Sequence, residues 1–551
     1  MAVMEEKGAP GAQAGVARSV MTAGTSAEAA GLDPSTWRKS LFEALVDSAA
    51  GPAARSPAVE DQERQPLDRR RLILAAAVLG RKLAATTTIG ERVGVLLPNV
   101  NGAAVTVFAL AAYGRVPAML NFSAGVRSLE SALEVADVRT VVTSRRFVET
   151  LKLEEVVARL SERARIVMLE DLRKQIGPLD KALGVVFAAA PRLVHRLFFR
   201  RRPDDPAVVL FTSGTEGVPK GVVLSSANIL SNIAQIRAAY PFAADDCIFN
   251  ALPVFHSFGL TAGLLLPVIG GFRSFLYPSP LHYKQIPGFV KSSGATILLT
   301  TDTFAAGWAK AAEADDFRSV RFTVLGAERV KDATRKLWRE RFDVSLNEGY
   351  GVTETAPVLS VNRPGAERDG TVGTLLPGIE ARLEAVPGLA EGGRLHIRGP
   401  NVMIGYYRID RPAVLQPIGE WHDTGDIVTI DADGFITIRG RAKRFAKIGG
   451  EMVSLAAVEA YASAIWPDSS HAVVSLPDPR KGEALVLVTD NAEAGVDPLI
   501  AYANANGIPE LAIPKRILHL DALPVMGTGK LDLVRIDELA REKLLQHGAD
   551  S

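Results

Sequence analysis

The sequence predicts an α/β protein: a large N-terminal domain with largely parallel sheets, followed by a small α+β domain. Three observations lead there. Short β-branched runs alternate with helical patterns through most of the chain. That alternation gives way near residue 425 to a hairpin and a handful of short strands. The length of 551 residues allows more than one hydrophobic core.

The first half supplies the alternation. "VGVLLP" (from Val93) leads into the helix-like "AAVTVFALAAYG". "AVVLFT" (from Ala207) leads into a Gly/Ser/Thr loop and then "NILSNIAQIRAAY", where Ile229, Ile233 and Ile236 fall on one helical face. "RTVVTS", "TILLTT" and "RFTVLG" read as buried strands. Apolar strands separated by helices are the pattern of a parallel sheet covered on both faces. Near the C-terminus, "DIVTIDADGFITIRGR" has two alternating runs around Asp433-Gly434, a hairpin signal. "HAVVSL", "ALVLVTD" and "RILHL" follow as short strands. The boundary is expected near Gly440, giving units at 36–440 and 441–551.

Composition narrows the class. The chain is 47% hydrophobic and 23% charged, with a net charge of +1, which offers no global attraction to nucleic acid. One cysteine, Cys247, supports neither a disulfide framework nor a Cys-rich metal centre. The opening "MAVMEEKGAPGAQAG" lacks a basic region ahead of an apolar run, so it is not a secretory signal. Residues 1–35, rich in Ala, Gly and Ser, are expected to be a disordered tail. Two uncharged stretches, 93–114 and 248–272, are long enough to span a membrane. Their internal Pro and Asn residues fit strand–turn–helix units better. The expected location is cytoplasmic, with peripheral contact at the inner face of the membrane through one segment.

That segment is "KALGVVFAAAPRLVHRLFFRRR", residues 181–202. As one helix it gathers Leu183, Phe187, Ala190, Val194, Leu197 and Phe198 on one face, with Arg192, Arg196 and Arg200 opposite. This basic amphipathic pattern suits an anionic membrane surface, and Pro191 would interrupt or bend it. The plainer reading, which carries more weight, is a connector helix packed on its own domain.

"FTSGTEGVPKG" (from Phe211) resembles a phosphate grip but fails the G-x-x-x-x-G-K-[ST] pattern. Thr212, Ser213 and Thr215 offer hydroxyls, Gly214 and Gly217 permit tight turns with exposed N–H groups, and Lys220 adds charge. A strand leads in and a helix is expected to lead out. Four further stretches follow in order: "NEGYGVTET", "EWHDTGD", "GRAKRFAKIGGE" and "PVMGTGKLD".

Together these motifs resemble the adenylate-forming superfamily of acyl-CoA synthetases, luciferases and peptide-synthetase adenylation domains, over nearly all of the chain after residue 36. "SPLHYKQ", "LGAERV", "LNEGYGVTET" and "GRAKRFAKIGGEMVSL" look most like the acyl–acyl carrier protein synthetase part of bacterial bifunctional acyltransferase/synthetase proteins. None of the eight histidines begins an H-x-x-x-x-D motif, so no acyltransferase signature accompanies it.

The resemblance implies ATP and Mg²⁺, a fatty acid, and a thiol acceptor: acyl carrier protein, or alternatively coenzyme A. Less favoured are a part in lysophospholipid reacylation and a non-catalytic acyl-adenylate sensor. It implies that residues 212–220 hold the β- and γ-phosphates, Thr353 the α-phosphate, and Glu354 the Mg²⁺. Tyr350 and Gly351, with Gly326, Ala327 and Glu328, are implied at the adenine. Glu328 stands where many relatives have a small residue, leaving its side-chain role open. Asp426 is implied at the ribose hydroxyls, with Arg441 reaching the ribose or phosphate region. Lys530 is implied to act in adenylation and Lys447 in thioester formation. The small domain would be mobile about a hinge at Lys443, because one small domain cannot present both lysines at once. The added charge of Lys443-Arg444 suggests contact with an acidic carrier or with coenzyme A phosphates. His256 and Phe304 are implied at the acyl pocket.

Overall fold

The computed structural model describes residues 20–25, 31–212, 218–386, 389, 391–448, 451–478, 481–525 and 531–548. Two large sheets dominate. In the first, strands Pro206–Thr212, Val116–Met119, Arg92–Val95, Thr140–Thr143 and Arg165–Met168 run parallel in that spatial order. Lys220–Ser225, Gly405–Arg408 and Arg411–Pro417 extend it antiparallel on one side. In the second, Pro57–Asp61, Arg273–Leu276, Cys247–Asn250, Ile297–Thr300, Phe322–Leu325 and Leu346–Gly351 run parallel. The strands Thr140–Thr143, Cys247–Asn250 and Ile297–Thr300 are buried at every residue, as strands covered on both faces must be.

Helix Ser226–Ala239 shows how the layers lock together. Ser225 and Asn228 form a reciprocal capping box at its start. Ile229, Ile233 and Ile236 are buried, and so are Ser231, Asn232 and Gln235. Asn232 exchanges two hydrogen bonds with the backbone of Val358, at 2.8 and 3.0 Å. A helix buried through all but its last turn needs such partners for its polar residues.

The uncharged stretches resolve as the sequence suggests. Strand Arg92–Val95 precedes helix Asn101–Ala112, and strand Cys247–Asn250 precedes the wide π-turned helix Phe258–Leu265. Among the described residues no helix is long and apolar enough to cross a membrane.

Three expectations change or gain detail in the structure. The N-terminal tail is not wholly without structure: Val20–Gly24 forms an edge strand, antiparallel to Glu380–Glu384, with Val20 opposite Glu384. Edge pairing needs only backbone N–H and C=O groups, so composition gave no sign of it. The strand after the loop is the second correction: Lys220–Ser225 returns antiparallel to Pro206–Thr212 before any helix begins. Residues 181–202 are the third, and here the interruption expected at Pro191 is present: they fall in two helices, Pro178–Ala189 and Pro191–Phe198, with the break at Ala190. Phe187 is buried against Phe42 and Tyr113. Arg192 pairs with Asp47, and Arg196 with Glu43 at 2.6 Å. Both acids sit on helix Leu41–Ala50. Two of the three arginines assigned to a lipid-facing surface are therefore bound within the protein.

Near residue 440 the chain changes sheets. Ile436–Arg441 pairs with His422–Ile430 across the expected hairpin, with Gly434 in the left-handed region at φ 83°. After the short turn Ala442–Arg444, strand Phe445–Ile448 joins a separate sheet with Glu451–Ser454, Gly482–Thr489 and His471–Asp478. That sheet has its own core, built on Ile448, Val458, Leu485, Leu487 and Leu499.

Candidate active site

The loop of residues 213–217 joins two antiparallel strands, and Thr212 lies opposite Lys220 at its mouth. Any phosphate grip here therefore lies between two antiparallel strands and not at a helix N-terminus. Ser213, Gly214, Thr215 and Gly217 lie outside the described residues. Lys220 is half-buried, and its ammonium sits 5.6 Å from the centroid of the Tyr406 ring. Burial lowers its pKa, Arg408 and Lys443 lower it further, and Glu354 opposes them. Those four charged residues consequently share one locale.

Strand Gly405–Arg408 places Tyr406 and Arg408 on one face, two residues apart, beside Lys220–Ser225. The Tyr406 hydroxyl donates to Glu354 Oε1 at 2.9 Å. The Arg408 guanidinium lies 4.8 Å from the same ring, within cation–π range. Its Nε is buried without a hydrogen-bond partner. A buried donor left open beside a lysine and a carboxylate is an incomplete anion site. Neither Tyr406 nor Arg408 stands out in sequence, because a four-residue strand offers too little alternation to read.

Glu354 belongs to the tight turn Thr353–Thr355. Its own carbonyl accepts from Met403 N–H at 2.7 Å, and Asn401 Nδ2 donates to the Thr355 carbonyl at 2.8 Å. The turn is reached from strand Leu346–Gly351. A Cβ on Gly351 would fall 1.9 Å from the Pro357 carbonyl oxygen, so only glycine allows the chain to fold back there. Thr353 and Glu354 are both partly exposed, open to a ligand.

The next group is closed. Asp426 is buried, its Oδ2 accepting from the Tyr350 hydroxyl at 2.5 Å and its Oδ1 paired with Arg441 Nε at 2.8 Å. Arg441 also donates to the Thr424 carbonyl at 3.1 Å. Burial raises the Asp426 pKa despite Arg441 and Tyr350. Burial, with Asp426 beside it, pushes the Tyr350 phenol well up. Asp423, three residues earlier, behaves oppositely. Burial works against it, but Arg394 and the Gly425 N–H hold its carboxyl low.

Gly326, Ala327 and Glu328 follow strand Phe322–Leu325. A Cβ on Gly326 would meet the Phe258 ring at 3.3 Å, which sets this turn against the helix Phe258–Leu265. Ala327 adopts φ 69°. Glu328 accepts from the Thr303 backbone N–H at 3.0 Å and its hydroxyl at 2.9 Å. Its side chain thus satisfies the first turn of helix Asp302–Ala311. That helix carries Phe304, which is buried and stacked on Trp308 at 6.4 Å. His256 is half-buried at the start of the π-turned helix, its Nδ1 accepting from Phe258 N–H at 3.4 Å. Ser257 and Thr261, one on either side of Phe258, hold buried hydroxyl oxygens without partners.

The basic stretch around 441–447 divides. Arg441 turns to Asp426, and Arg444 turns into the small sheet to bind Glu459 and the Val473 carbonyl. Lys443 and Lys447 remain exposed. The doubled Lys443-Arg444 charge expected to face a partner is therefore half consumed inside the protein. Lys530 lies outside the described residues.

The AMP-binding enzyme family matches residues 47–407. A protein of Yersinia pestis named long-chain-fatty-acid–CoA ligase is 29% identical over 481 residues, covering 80% of this chain and 84% of that protein. ATP-bound MatB from Rhodopseudomonas palustris superposes with a TM-score of 0.75 at 24% identity, over 91% of this chain and 99% of that one. The o-succinylbenzoate CoA synthetase of Bacillus subtilis, solved with ATP and a magnesium ion, gives 0.74 at 22% identity, over 89% and 98%.

Proposed function

The chain belongs to the AMP-binding enzyme family, and on that premise we propose that it is a ligase activating a long-chain fatty acid. ATP and the acid give acyl-AMP and pyrophosphate, and the acyl group then passes to the thiol of coenzyme A. The observation carrying this reading is that three groups, borne by three different sheets, are linked through the Tyr406–Glu354 and Tyr350–Asp426 hydrogen bonds. They are the hairpin mouth Thr212/Lys220, the cluster Glu354–Tyr406–Arg408, and the buried Asp426–Tyr350–Arg441 set. The acid and the acceptor follow the Yersinia relative's name.

In the first step a carboxylate oxygen attacks the α-phosphorus and pyrophosphate leaves. Lys220 and Arg408, with the loop hydroxyls Thr212, Ser213 and Thr215 and the backbone at Gly214 and Gly217, would hold the leaving phosphates. Thr353 would hold the α-phosphate. Asp426 would accept the ribose hydroxyls once Arg441 swings aside, and Tyr350, Gly351 and residues 326–328 would enclose adenine. Among the described residues no group of three or more potential metal ligands exists. A single carboxylate, Glu354, fits Mg²⁺, which keeps waters and phosphate oxygens as its other ligands. When bound, Mg²⁺ would offset phosphate charge. Lys530 would bridge the attacking carboxylate and the phosphate. In the second step the thiol attacks the acyl carbonyl and AMP leaves. Lys447 would act after the small domain turns about Lys443. His256 and Phe304 would border the acyl chain.

Peripheral lipid contact is part of the proposal. Seven of the seventeen large apolar side chains exposed among the described residues fall between 179 and 198. That density, more than charge, supports attachment through these two helices.

The test is AMP production from ATP and palmitate with coenzyme A, pantetheinylated carrier protein, or unmodified carrier protein, products being identified by mass. Turnover with coenzyme A is expected. Turnover with the pantetheinylated carrier alone would replace this acceptor with acyl carrier protein. No acyl-AMP with any acceptor would overturn the reading.

A further inference from the structure

Helix Arg69–Ala84 has two apolar faces. One carries Leu72, Ile73, Ala76, Ala77 and Leu83 into the core. The other carries Arg71, Leu74, Ala75, Val78 and Leu79, spaced as a single helical stripe, and these side chains line an open groove of about 560 Å³. Val105 of helix Asn101–Ala112, with Arg173, Ile176 and Lys181, completes its lining. Helix Pro178–Ala189 packs closely on the first helix at one wall of the groove: a Cβ on Gly184 would lie 2.4 Å from Cγ2 of the lining residue Val78.

We propose that this groove binds a single-chain anionic amphiphile, a long-chain carboxylate, at a site sharing no residue with the nucleotide centre. Its walls are aliphatic, its lining has no acidic residue, and three cations stand around it. Arg71 reaches Asp68 only at 3.8 Å. Among the described residues Arg173 and Lys181 have no acidic partner within ion-pair distance. The neighbouring helix shows the contrast, because there Arg192 and Arg196 are both matched by acids. Cations left unmatched over an apolar trough are complementary to a carboxylate with an alkyl tail, and the volume falls in the range of about 300–1,000 Å³ usual for small-ligand sites. Leu179, Leu183 and Val186 are exposed on the helix that bears Lys181, so an apolar surface leads from the groove's rim. The site deepens the fatty-acid reading above and rests on it only for the identity of the amphiphile.

The experiment uses the full chain without nucleotide and a palmitate analogue bearing a terminal diazirine. After irradiation and digestion, label is expected in peptides covering residues 71–79 and 173–181, displaced by palmitate and not by hexadecanol. Label confined to other segments, or displaced equally by hexadecanol, would overturn the site. In the double variant Arg173→Glu, Lys181→Glu the labelled fraction should fall about tenfold, while octanoate-dependent ATP–pyrophosphate exchange is unchanged. Undiminished groove label in that variant would also overturn it. The two readings fail separately. Groove labelling without any acyl-AMP formation would remove the proposed ligase function and leave this site, and acyl-AMP formation without groove labelling would do the reverse.

Discussion

The two ends of the candidate nucleotide site are built differently. At the nucleoside end Asp426, Tyr350 and Arg441 satisfy one another at 2.5 and 2.8 Å in a buried setting. At the phosphate end Arg408, Lys443 and the carboxylate of Glu354 all act on the half-buried Lys220, and the buried Arg408 Nε has no partner. The first end is complete without a ligand and must exchange partners to bind one. The second holds positive charge in reserve, which is the arrangement that stabilises charge developing on phosphate oxygens in a transition state. Rate should therefore be most sensitive to the cations, and stability to the carboxylate of the closed end.

Removing a cation from the reacting phosphate should have the largest effect. Lys530→Ala is expected to slow acyl-AMP formation by about 10²–10³-fold with unchanged thermal unfolding, read by ATP–pyrophosphate exchange. Undiminished exchange would remove Lys530 from the first step. Lys447→Ala should spare exchange and slow acyl transfer from preformed acyl-AMP by on the order of 10²-fold. If both half-reactions fell together, the separation of the two lysines by domain movement would be wrong.

Tyr406→Phe tests whether the open end depends on the position of Glu354. The variant loses one hydrogen bond to a charged group, about 1.5–3 kcal/mol. At the lower end that is about a tenfold fall in kcat/KM for ATP. The deficit should respond to Mg²⁺ concentration, since Glu354 is the carboxylate assigned to the metal. A deficit independent of Mg²⁺ would make Tyr406 a packing residue only.

The closed end was more legible in the sequence than the open one. Asp426 and Tyr350 sit in motifs with unusual glycine and acid spacing, and the hairpin around Gly434 follows from turn chemistry. Tyr406 and Arg408 sit on a strand of four residues, where no period can declare itself. The edge strand Val20–Gly24 left no trace because backbone pairing carries it. For the helices of residues 178–198 the pattern was legible and the pairing was not. Amphipathic spacing distinguishes two faces but not which acid waits across a gap of some 150 residues, and Asp47 and Glu43 decide that. Glu328 is similar: its substitution for a small residue is readable, but its bond to Thr303, 25 positions away, is tertiary.

The smallest predicted effect is the most discriminating, because it runs against intuition. Asp426→Asn should impair nucleotide binding and yet raise thermal stability. Burial raises the Asp426 pKa, so between the ordinary carboxylate range and the raised value the folded state binds more protons than the unfolded one. Stability then falls as pH rises through that window, and at neutral pH the ionised carboxylate carries its full desolvation cost. Asparagine removes that charge while its carbonyl can still accept from Tyr350. Breaking a buried pair usually strands the other charge, but the Arg441 side chain is 58% exposed and can return to water. A gain of about 1 kcal/mol would raise Tm by roughly 1 °C in a chain of this size. The gain should shrink as pH falls through that window, where the wild-type carboxyl takes up its proton. Differential scanning calorimetry of both proteins between pH 4 and 7 measures it. A variant less stable than wild type at pH 7 would mean that Arg441 repays the burial of Asp426, and that the closed end is held for stability as much as for ribose.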